Sequence, residues 1–152
     1  MNNCHYSDKY AVVDFAQIPH IGIRYILPST SEEEKKSIKK YPFINKTNLG
    51  VSLVDLKKHK TYSFEIPKGY CFDGASVPRF FWRIIGSNTD NQFLLAALVH
   101  DVLCENHSYV DNDRVFSTRV FNLLLKESGV KSIKRFFMKN SVNIFQMICC
   151  GW

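Results

Sequence analysis

The chain lacks the cysteine pattern of a disulfide-stabilised or zinc-ribbon protein. It contains five cysteines, an odd number, and none of them form a C-x-x-C pair. Disulfide frameworks use even numbers of cysteines, and zinc ribbons need closely paired ones. We therefore expect reduced thiols and synthesis in a reducing cytoplasm. We interpret the adjacent residues Cys149 and Cys150 as small apolar residues rather than as a metal or lipidation site.

Long apolar runs are also missing. No uninterrupted run approaches the roughly 20 residues that a membrane-spanning helix needs. Residues 1–5 do not begin a basic segment followed by an apolar one, which is the pattern of a secretory signal. We expect neither an integral membrane segment nor a signal peptide.

The composition is that of a folded domain with a basic surface. The chain has 152 residues, of which 45% are hydrophobic and 14% aromatic, so a disordered chain is excluded. Lys and Arg number 20 against 14 acidic residues, a formal charge of +6. Such a charge favours anionic partners, but the basic residues are scattered over predicted helices and turns. We interpret them as a solvated surface and do not expect nucleic-acid binding.

The first half of the chain predicts strands. Alternating or β-branched apolar residues mark strands at 10–15, 21–27, 50–56 and 61–66, and the last two pair around a polar turn at 57–60. Residues 29–40 place acidic before basic side chains, which predicts a short surface helix or a polar insertion.

The second half predicts four helices. Ser76 and Pro78 begin the first helix, which runs to residue 85, and Thr89 and Gln92 resemble a capping box for the second, which runs to about residue 105. Asp111 caps the third helix, which runs to residue 126, and the fourth helix spans 131–148. In the fourth helix a row of apolar side chains has helical spacing, which predicts a core-facing stripe: Ile133, Phe136, Phe137, Ile144, Phe145 and Ile148. We predict one α+β domain over 1–152, with an antiparallel sheet in 1–70 packed against a layer of about four helices in 76–148.

Most candidate reactive groups lie between positions 73 and 101. Asp73 and Ser76 lie in a predicted turn before the first helix, where they serve equally well as turn and cap residues. No G-x-S-x-G motif supports Ser76 as a nucleophile. Arg79, in an otherwise apolar helix start, is typical of a clamp for a carboxylate or phosphate. His100 and Asp101 follow an apolar helical run.

Two interpretations of the His-Asp pair are open. Neighbouring helical residues point about 100° apart, so His100 and Asp101 could flank one site without forming a hydrogen-bonded dyad. Asp113 opens the next helix, and a short connection would place it beside His100, where it could orient the ring or share a metal. Asp73, His100 and Asp101 would then be ligands for Zn²⁺, Mn²⁺, Mg²⁺ or Ca²⁺ alike. Alternatively, His100 is a core histidine and Asp101 pairs with a basic group.

Three blocks of the sequence resemble a known family. They are Asp73-Gly74-Ala75-Ser76-Val77-Pro78-Arg79, then Ala96-Ala97-Leu98-Val99-His100-Asp101, then Asp113-Arg114-Val115-Phe116. In this order they resemble a domain-of-unknown-function family common in tailed-phage and prophage genomes, over roughly residues 66–146. The chain departs from the family pattern at Cys104, where tyrosine is usual, and at Asn112, where alanine is usual. The resemblance implies a phage context and a shared site at Asp73, Arg79, His100, Asp101 and Asp113.

The His-Asp pair is also similar to two enzyme families. In secreted phospholipase A2 the histidine activates water and the next aspartate holds Ca²⁺, but this chain has neither the glycine-rich calcium loop nor dense disulfides. HD phosphohydrolases share the pair, but their further metal-binding histidines have no counterparts here, since His59 and His107 lie in a predicted turn and loop.

These observations lead to a hydrolase hypothesis with a structural rival. In the leading hypothesis the chain is a small phage-encoded, metal-assisted hydrolase acting on cell-envelope or phosphoester material. His100 would be the base or a ligand, Asp73 and Asp101 would be ligands, Asp113 would orient His100, and Arg79 would bind an anion.

In the rival hypothesis the chain is a non-catalytic virion or tail component, and the same residues form a buried polar network. Expected partners are virion proteins or bacterial envelope components, in the host cytoplasm or the virion. A third hypothesis is membrane-surface binding by the helix at 131–148.

Overall fold

Strands fill the first half of the chain and helices the second. The structure is a computed structural model that describes residues 4–73, 93–149 and 152, and for Phe145 and Cys149 it describes the backbone alone. The first half contains β1 Cys4–Ser7, β2 Ala11–Phe15, β3 Ile21–Ile23, α1 Glu32–Lys40, β4 Phe43–Asn45, β5 Leu49–Asp55, β6 Lys60–Ile66 and β7 Cys71–Phe72. The second contains α2 Leu94–Glu105, a 3₁₀ turn His107–Val110, α3 Arg114–Glu127 and α4 Ser132–Cys149.

The strands form two antiparallel sheets. The larger has the order β1-β2-β5-β6, and the smaller has the order β3-β4-β7. In the larger sheet Phe15 is paired with Val51, and Leu53 with Tyr62. This arrangement confirms the predicted α+β class with an N-terminal antiparallel sheet and a C-terminal layer of helices.

The larger sheet buries one face against the helices. Alternate residues of β2 and β5 are buried, as expected when one face of a sheet packs on a core. α3 packs against β1 and β2, and both α2 and α4 pack on α3. Since Phe121 and Leu124 of α3 are fully buried, α3 is the helix around which the other two are arranged.

The predicted strands are largely confirmed. β2, β5 and β6 lie within one residue of their predicted limits, whereas the strand predicted at 21–27 ends at Ile23. The chain at 29–40 is a surface helix, with Ser31 Oγ accepting a hydrogen bond from the Glu34 amide at 3.2 Å. Three strands, β1, β4 and β7, were not predicted because they have two to four residues, too few to show an alternation.

The third predicted helix begins later than its sequence indicated. Asp113, not Asp111, is the N-cap of α3. The two preceding residues, Asp111 and Asn112, follow the 3₁₀ turn and have positive φ angles of 52° and 60°. The helix therefore starts only after this left-handed segment. The predicted helix at 78–85, the capping box Thr89–Gln92, Ser76 and Arg79 lie outside the described residues.

The core-facing side of α4 was predicted wrongly. Every described member of the predicted stripe is exposed: Ile133, Phe136, Phe137, Ile144 and Ile148. The buried row is Met138, Val142 and Gln146, which lies on the side of α4 nearest α3. The prediction failed because α4 carries apolar residues on two sides, and a helical period alone does not decide which side is buried.

The described residues bear on two expectations, the reduced thiols and the absence of a membrane-spanning helix. Cys4, Cys71 and Cys104 carry free thiols. In the described part of the chain, no helix has both the length and the apolar character needed to cross a bilayer.

Candidate functional site: the His100 polar network

His100 lies in the most completely buried part of α2. The residues before it, Leu94 to Val99, include no polar side chain, so α2 is buried on most of its circumference. The His100 side chain, 1% exposed, is therefore enclosed by the core. A polar group in such surroundings must find hydrogen-bond partners inside the protein.

Three side chains of the described residues contact the imidazole. The carboxamide nitrogen of Gln146, on α4, is hydrogen-bonded to Nε2 of His100. Cys104, one turn later on α2, places Sγ at 3.5 Å from Nδ1 of the ring. The Phe121 ring of α3 lies with its centroid 5.2 Å from that of His100. The imidazole is thus held by groups from all three long helices of the C-terminal layer.

The network continues from Gln146 to the N-terminal turns of α3. The Thr118 hydroxyl donates to Oε1 of Gln146 at 3.3 Å, and it also lies 3.1 Å from the carbonyl oxygen of Arg114. The Arg114 guanidinium in turn donates to Oδ1 of Asn143 at 2.5 Å. Both Thr118 and Gln146 are buried. Because two side-chain hydrogen bonds join α3 to α4 here, their relative position is fixed next to His100.

Burial controls the charge of His100. Removing the ring from water disfavours its cationic form and lowers the pKa of His100 from 6.5 to about 4. The imidazole is therefore neutral at physiological pH. A carboxamide, which has both a donor and an acceptor, is a suitable partner for a neutral imidazole of either tautomer.

Asp101 lies on a different side of α2 from His100. His100 and Cys104 are one turn apart and belong to one side, whereas Asp101 and Glu105 belong to the next. Oε2 of Glu105 accepts a hydrogen bond of 2.8 Å from the Tyr70 hydroxyl. Burial raises the pKa of Tyr70, and the negative charges of Glu105 and Asp101 raise it further, so Asp101 also lies near Tyr70. Among the described residues, His100 is therefore bonded to Gln146 and Cys104, whereas Asp101 lies near Tyr70.

Asp113 caps α3 and pairs with the β5–β6 hairpin. Its Oδ1 accepts a hydrogen bond from the Phe116 amide at 3.0 Å, and its Oδ2 accepts one from Nζ of Lys58 at 2.5 Å. Burial alone would raise the pKa of Asp113, but the two hydrogen bonds together with the positive charges of Lys58 and Arg119 outweigh it, so the pKa is lowered. No hydrogen bond joins Asp113 to His100 among the described residues. The predicted orienting contact is therefore replaced by Gln146 and Cys104.

The other predicted site residues lie around the segment that follows β7. Asp73 is half-buried and follows directly on Phe72 of β7. Arg79, together with Ser76, is outside the described residues, so the predicted anion clamp stays a prediction.

The predicted metal ligands Asp73, His100 and Asp101 stay a prediction. Within residues 4–73, 93–149 and 152 no group of three or more His, Cys, Asp or Glu side chains is placed to hold a metal ion.

A separate cavity lies between the N-terminal strands and the start of α2. It has a volume of about 350 Å³, and Cys4, Tyr6, His20 and Leu94 are among the residues that line it. Burial raises the pKa of Tyr6, and the neighbouring Cys4 raises it further. Among the predicted site residues that the structure describes, none lines this cavity.

Sequence reasoning missed the partners of His100. Cys104 is one helical turn from His100, a spacing that predicts contact on one side of a helix. Gln146 is the polar member of the buried row Met138, Val142 and Gln146. A polar side chain in a buried row indicates a buried hydrogen bond, but only after the row has been identified as the buried one. The wrong choice of the core-facing side of α4 concealed this signal.

Comparison with known proteins identifies a family for the chain. A family model described as "Protein of unknown function (DUF1353)" matches residues 51–142, more than half of the chain. The chain belongs to the DUF1353 family. The expected membership of an uncharacterised domain family is thereby confirmed, whereas the phage or prophage origin stays a prediction. The matched DUF1353 segment includes His100, Cys104 and Thr118, but Gln146 lies beyond its end.

One curated relative also matches part of this DUF1353 protein. "Uncharacterized protein y4jT" of Sinorhizobium fredii (strain NBRC 101917 / NGR234) is 36% identical over 69 residues, which cover 45% of this chain. The aligned region spans 20% of that relative's own length. No solved structure matches the chain.

Proposed function

We propose that this DUF1353 protein is a non-catalytic structural component, in which His100 and its partners form a buried polar network that fixes the helical layer. The observation that supports the proposal most strongly is the enclosure of the imidazole: its side chain is 1% exposed and both ring nitrogens face protein groups. A general base must come within hydrogen-bond distance of the proton it removes. An enclosed and partnered ring is better suited to holding helices together.

The chemistry of the partners supports the same proposal. A buried histidine with a pKa of about 4 is a weak base, and near neutral pH it would take up a proton from substrate or water only at a large energetic cost. A satisfied buried network, by contrast, specifies one packing arrangement because any alternative leaves polar groups unpaired. Gln146 and Thr118 extend this constraint from α2 to α3 and α4.

The biological setting is proposed from the sequence resemblance. The three blocks around Asp73, His100 and Asp113 are similar to proteins of tailed phages and prophages, so we propose a virion or tail-associated role. Mass spectrometry of purified particles from the phage or prophage that encodes the chain tests this directly. Recovery of the chain at a fixed ratio to the major capsid protein is expected, and its complete absence from particles contradicts the setting.

The structural role is tested by a double-mutant cycle between His100 and Gln146. Changing either residue alone to Leu removes the hydrogen bond between them while the other polar side chain stays buried, and each change should lower the free energy of unfolding by about 1–3 kcal/mol. Changing both should cost less than the sum of the two, because the shared hydrogen bond is lost in each single variant but counts only once in the double variant. Strictly additive losses in urea denaturation would contradict the proposed network.

A second candidate, the His-Asp-centred hydrolase, is favoured by one observation. The neutral imidazole of His100 is in the protonation state that a general base requires at pH 7. In this candidate Asp73 and Asp101 would be metal ligands, Asp113 would orient His100 and Arg79 would bind an anion, and cell-envelope or phosphoester material would be the substrate class.

An activity screen separates the two candidates. Wild type, His100→Gln and Asp101→Asn are compared on p-nitrophenyl esters, bis(p-nitrophenyl) phosphate and peptidoglycan, with and without added Zn²⁺, Mn²⁺, Mg²⁺ or Ca²⁺. Turnover that is lost in either variant, while the variant keeps the wild-type unfolding midpoint, would overturn the structural proposal in favour of the hydrolase. Loss of stability without any turnover in the wild type is the expected result.

A further inference from the structure

We propose that α4 docks on an anionic lipid surface through an exposed apolar stripe that its core packing leaves uncovered. This inference is independent of the role of His100, because Gln146, the α4 residue that contacts His100, lies on the opposite side of α4 from the stripe. The stripe consists of six side chains that are each at least 50% exposed: Ile133, Phe136, Phe137, Ile144, Met147 and Ile148.

The exposed stripe is continuous. At about 100° per residue, these six positions fall within about 120° of the helix circumference, with Asn140 among them. The buried row of Met138, Val142 and Gln146 occupies the opposite side. An ordinary surface helix carries polar residues on the side away from the core. α4 instead carries its largest apolar residues there, and large exposed apolar patches mark interaction sites.

The charge of this region selects the partner. Between positions 131 and 152 the chain has four basic residues and no acidic one: Lys131, Lys134, Arg135 and Lys139. By the same helical geometry, Lys134 and Lys139 flank the stripe on either side. Basic side chains next to an apolar face are typical of helices that lie in the headgroup region of anionic membranes, where long lysine stems extend toward the phosphates.

The same charge disfavours the other occupants of an apolar face. Two copies of the helix packed stripe to stripe would bring like charges together, and residues 131–152 of each copy would contribute no acidic side chain to that contact. A nucleic acid would satisfy the lysines but would offer no hydrocarbon layer to Phe136 and Phe137. A bilayer with anionic headgroups satisfies both features at once.

The dimensions fit a helix that lies in the plane of the membrane. α4 has 18 residues, which corresponds to about 27 Å, and in the described part of the chain no helix is apolar enough to span a bilayer. The Phe136 and Phe137 rings, in edge-to-face contact with centroids 5.7 Å apart, form the broadest part of the stripe. Insertion to the depth of these rings leaves the packed side of α4 against the protein.

Vesicle co-flotation of the full chain tests the proposal. Vesicles of phosphatidylcholine alone are compared with vesicles of phosphatidylcholine and phosphatidylglycerol. Wild type should float with the anionic vesicles, and Phe136→Ser combined with Phe137→Ser should reduce the partition coefficient about tenfold or more. The matched control is Tyr25→Ser combined with Leu27→Ser, which removes two other exposed apolar side chains and should leave flotation unchanged.

A second pair of variants tests the charge. Lys134→Gln combined with Lys139→Gln should weaken binding to anionic vesicles and reduce its dependence on salt, whereas Lys39→Gln combined with Lys40→Gln on α1 should not. Circular dichroism and thermal unfolding of each variant ensure that a loss of flotation is not a loss of folding.

Three results would overturn the proposal. One is wild type that does not float with anionic vesicles, and another is equal flotation of the Phe136/Phe137 variant and wild type. The third is a wild-type dimer, seen by analytical sedimentation without lipid, that becomes a monomer when Phe136→Ser and Phe137→Ser are combined. The stripe would then be covered by a second copy of the chain.

Discussion

His100 of α2 and Gln146 of α4 are hydrogen-bonded to each other across 46 positions of sequence, inside a core that excludes water from both. His100 belongs to the segment matched by the DUF1353 model, and Gln146 lies beyond it. One partner of the histidine, Gln146, therefore comes from outside the matched segment, whereas Cys104 lies within it. The stability of the helical layer should accordingly depend on both residues.

The first prediction concerns acid stability. His100 titrates at 6.5 when exposed and at about 4 in the folded protein, so between these values the unfolded chain binds a proton that the folded chain does not. Its contribution to stability should be complete above pH 6.5 and decline as the pH falls to about 4, by on the order of 3 kcal/mol in total. Urea denaturation at closely spaced pH values measures this slope.

Two variants identify the source of that slope. His100→Gln should flatten the dependence between pH 6.5 and 4, whereas His20→Gln, which removes an exposed imidazole, should leave it in place. Comparison with wild type also removes the contribution of Asp113, whose lowered pKa produces a loss of stability at more acidic pH in every variant. A wild-type slope that His100→Gln does not change would contradict the assigned role of burial.

The second prediction concerns Gln146→Glu. A carboxylate in place of the carboxamide would favour the imidazolium form, so the pKa of His100 should rise above about 4. The chemical shift of the His100 ring proton as a function of pH measures the change. The control is Gln146→Leu, which adds no charge and should produce no such rise. An unchanged titration in Gln146→Glu would mean that the two side chains are not in contact in solution.

The third prediction separates two functions of Asp113. Asp113→Ala removes the N-cap of α3 and the ion pair with Lys58, whereas Asp113→Asn keeps a capping oxygen and loses the charge. Because Asn caps helices nearly as well as Asp, the Ala variant should be about 1 kcal/mol less stable than the Asn variant. Lys58→Gln should have a smaller effect than Asp113→Ala, since exposed ion pairs contribute little. Equal losses for Ala and Asn would contradict the cap.

The sequence predicts much of the fold because local patterns determine most of its elements. The alternation at 50–56 and 61–66 specifies β5 and β6, and the buried run before His100 specifies α2. The site was only partly predictable, since contacts between distant residues depend on which side of a helix is buried. α4 has apolar residues on two sides, so its sequence favoured the wrong one and left Gln146 unnoticed.

Asp101 illustrates a second limit. A His-Asp pair in sequence predicts a shared site only if both side chains converge, but consecutive residues of a helix diverge by about 100°. Here His100 faces Gln146, whereas Asp101 and Glu105 lie toward Tyr70. That divergence follows from helical geometry, but the partner on each side depends on tertiary packing.

The fourth prediction concerns Tyr70 and Glu105, which connect the end of α2 to the residue before β7. Tyr70→Phe removes the 2.8 Å hydrogen bond and should lower the free energy of unfolding by about 0.5–1.5 kcal/mol. Burial raises the pKa of Tyr70 above 10, so above pH 10 the unfolded chain loses a proton that the folded chain keeps. The contribution of Tyr70 to stability is therefore complete below pH 10 and lost as the pH rises further.

Alkaline denaturation of Tyr70→Phe and Glu105→Gln measures both effects. Tyr70→Phe should decline less steeply above pH 10 than wild type, and tyrosinate absorbance should show one late-titrating tyrosine fewer. Glu105→Gln keeps an acceptor for the hydroxyl but removes a charge that raises the tyrosine pKa, so Tyr70 should ionise at lower pH with little loss of stability near neutrality. If Tyr70→Phe retains the full alkaline slope, other groups account for it and the connection between Tyr70 and Glu105 does not stabilise the fold.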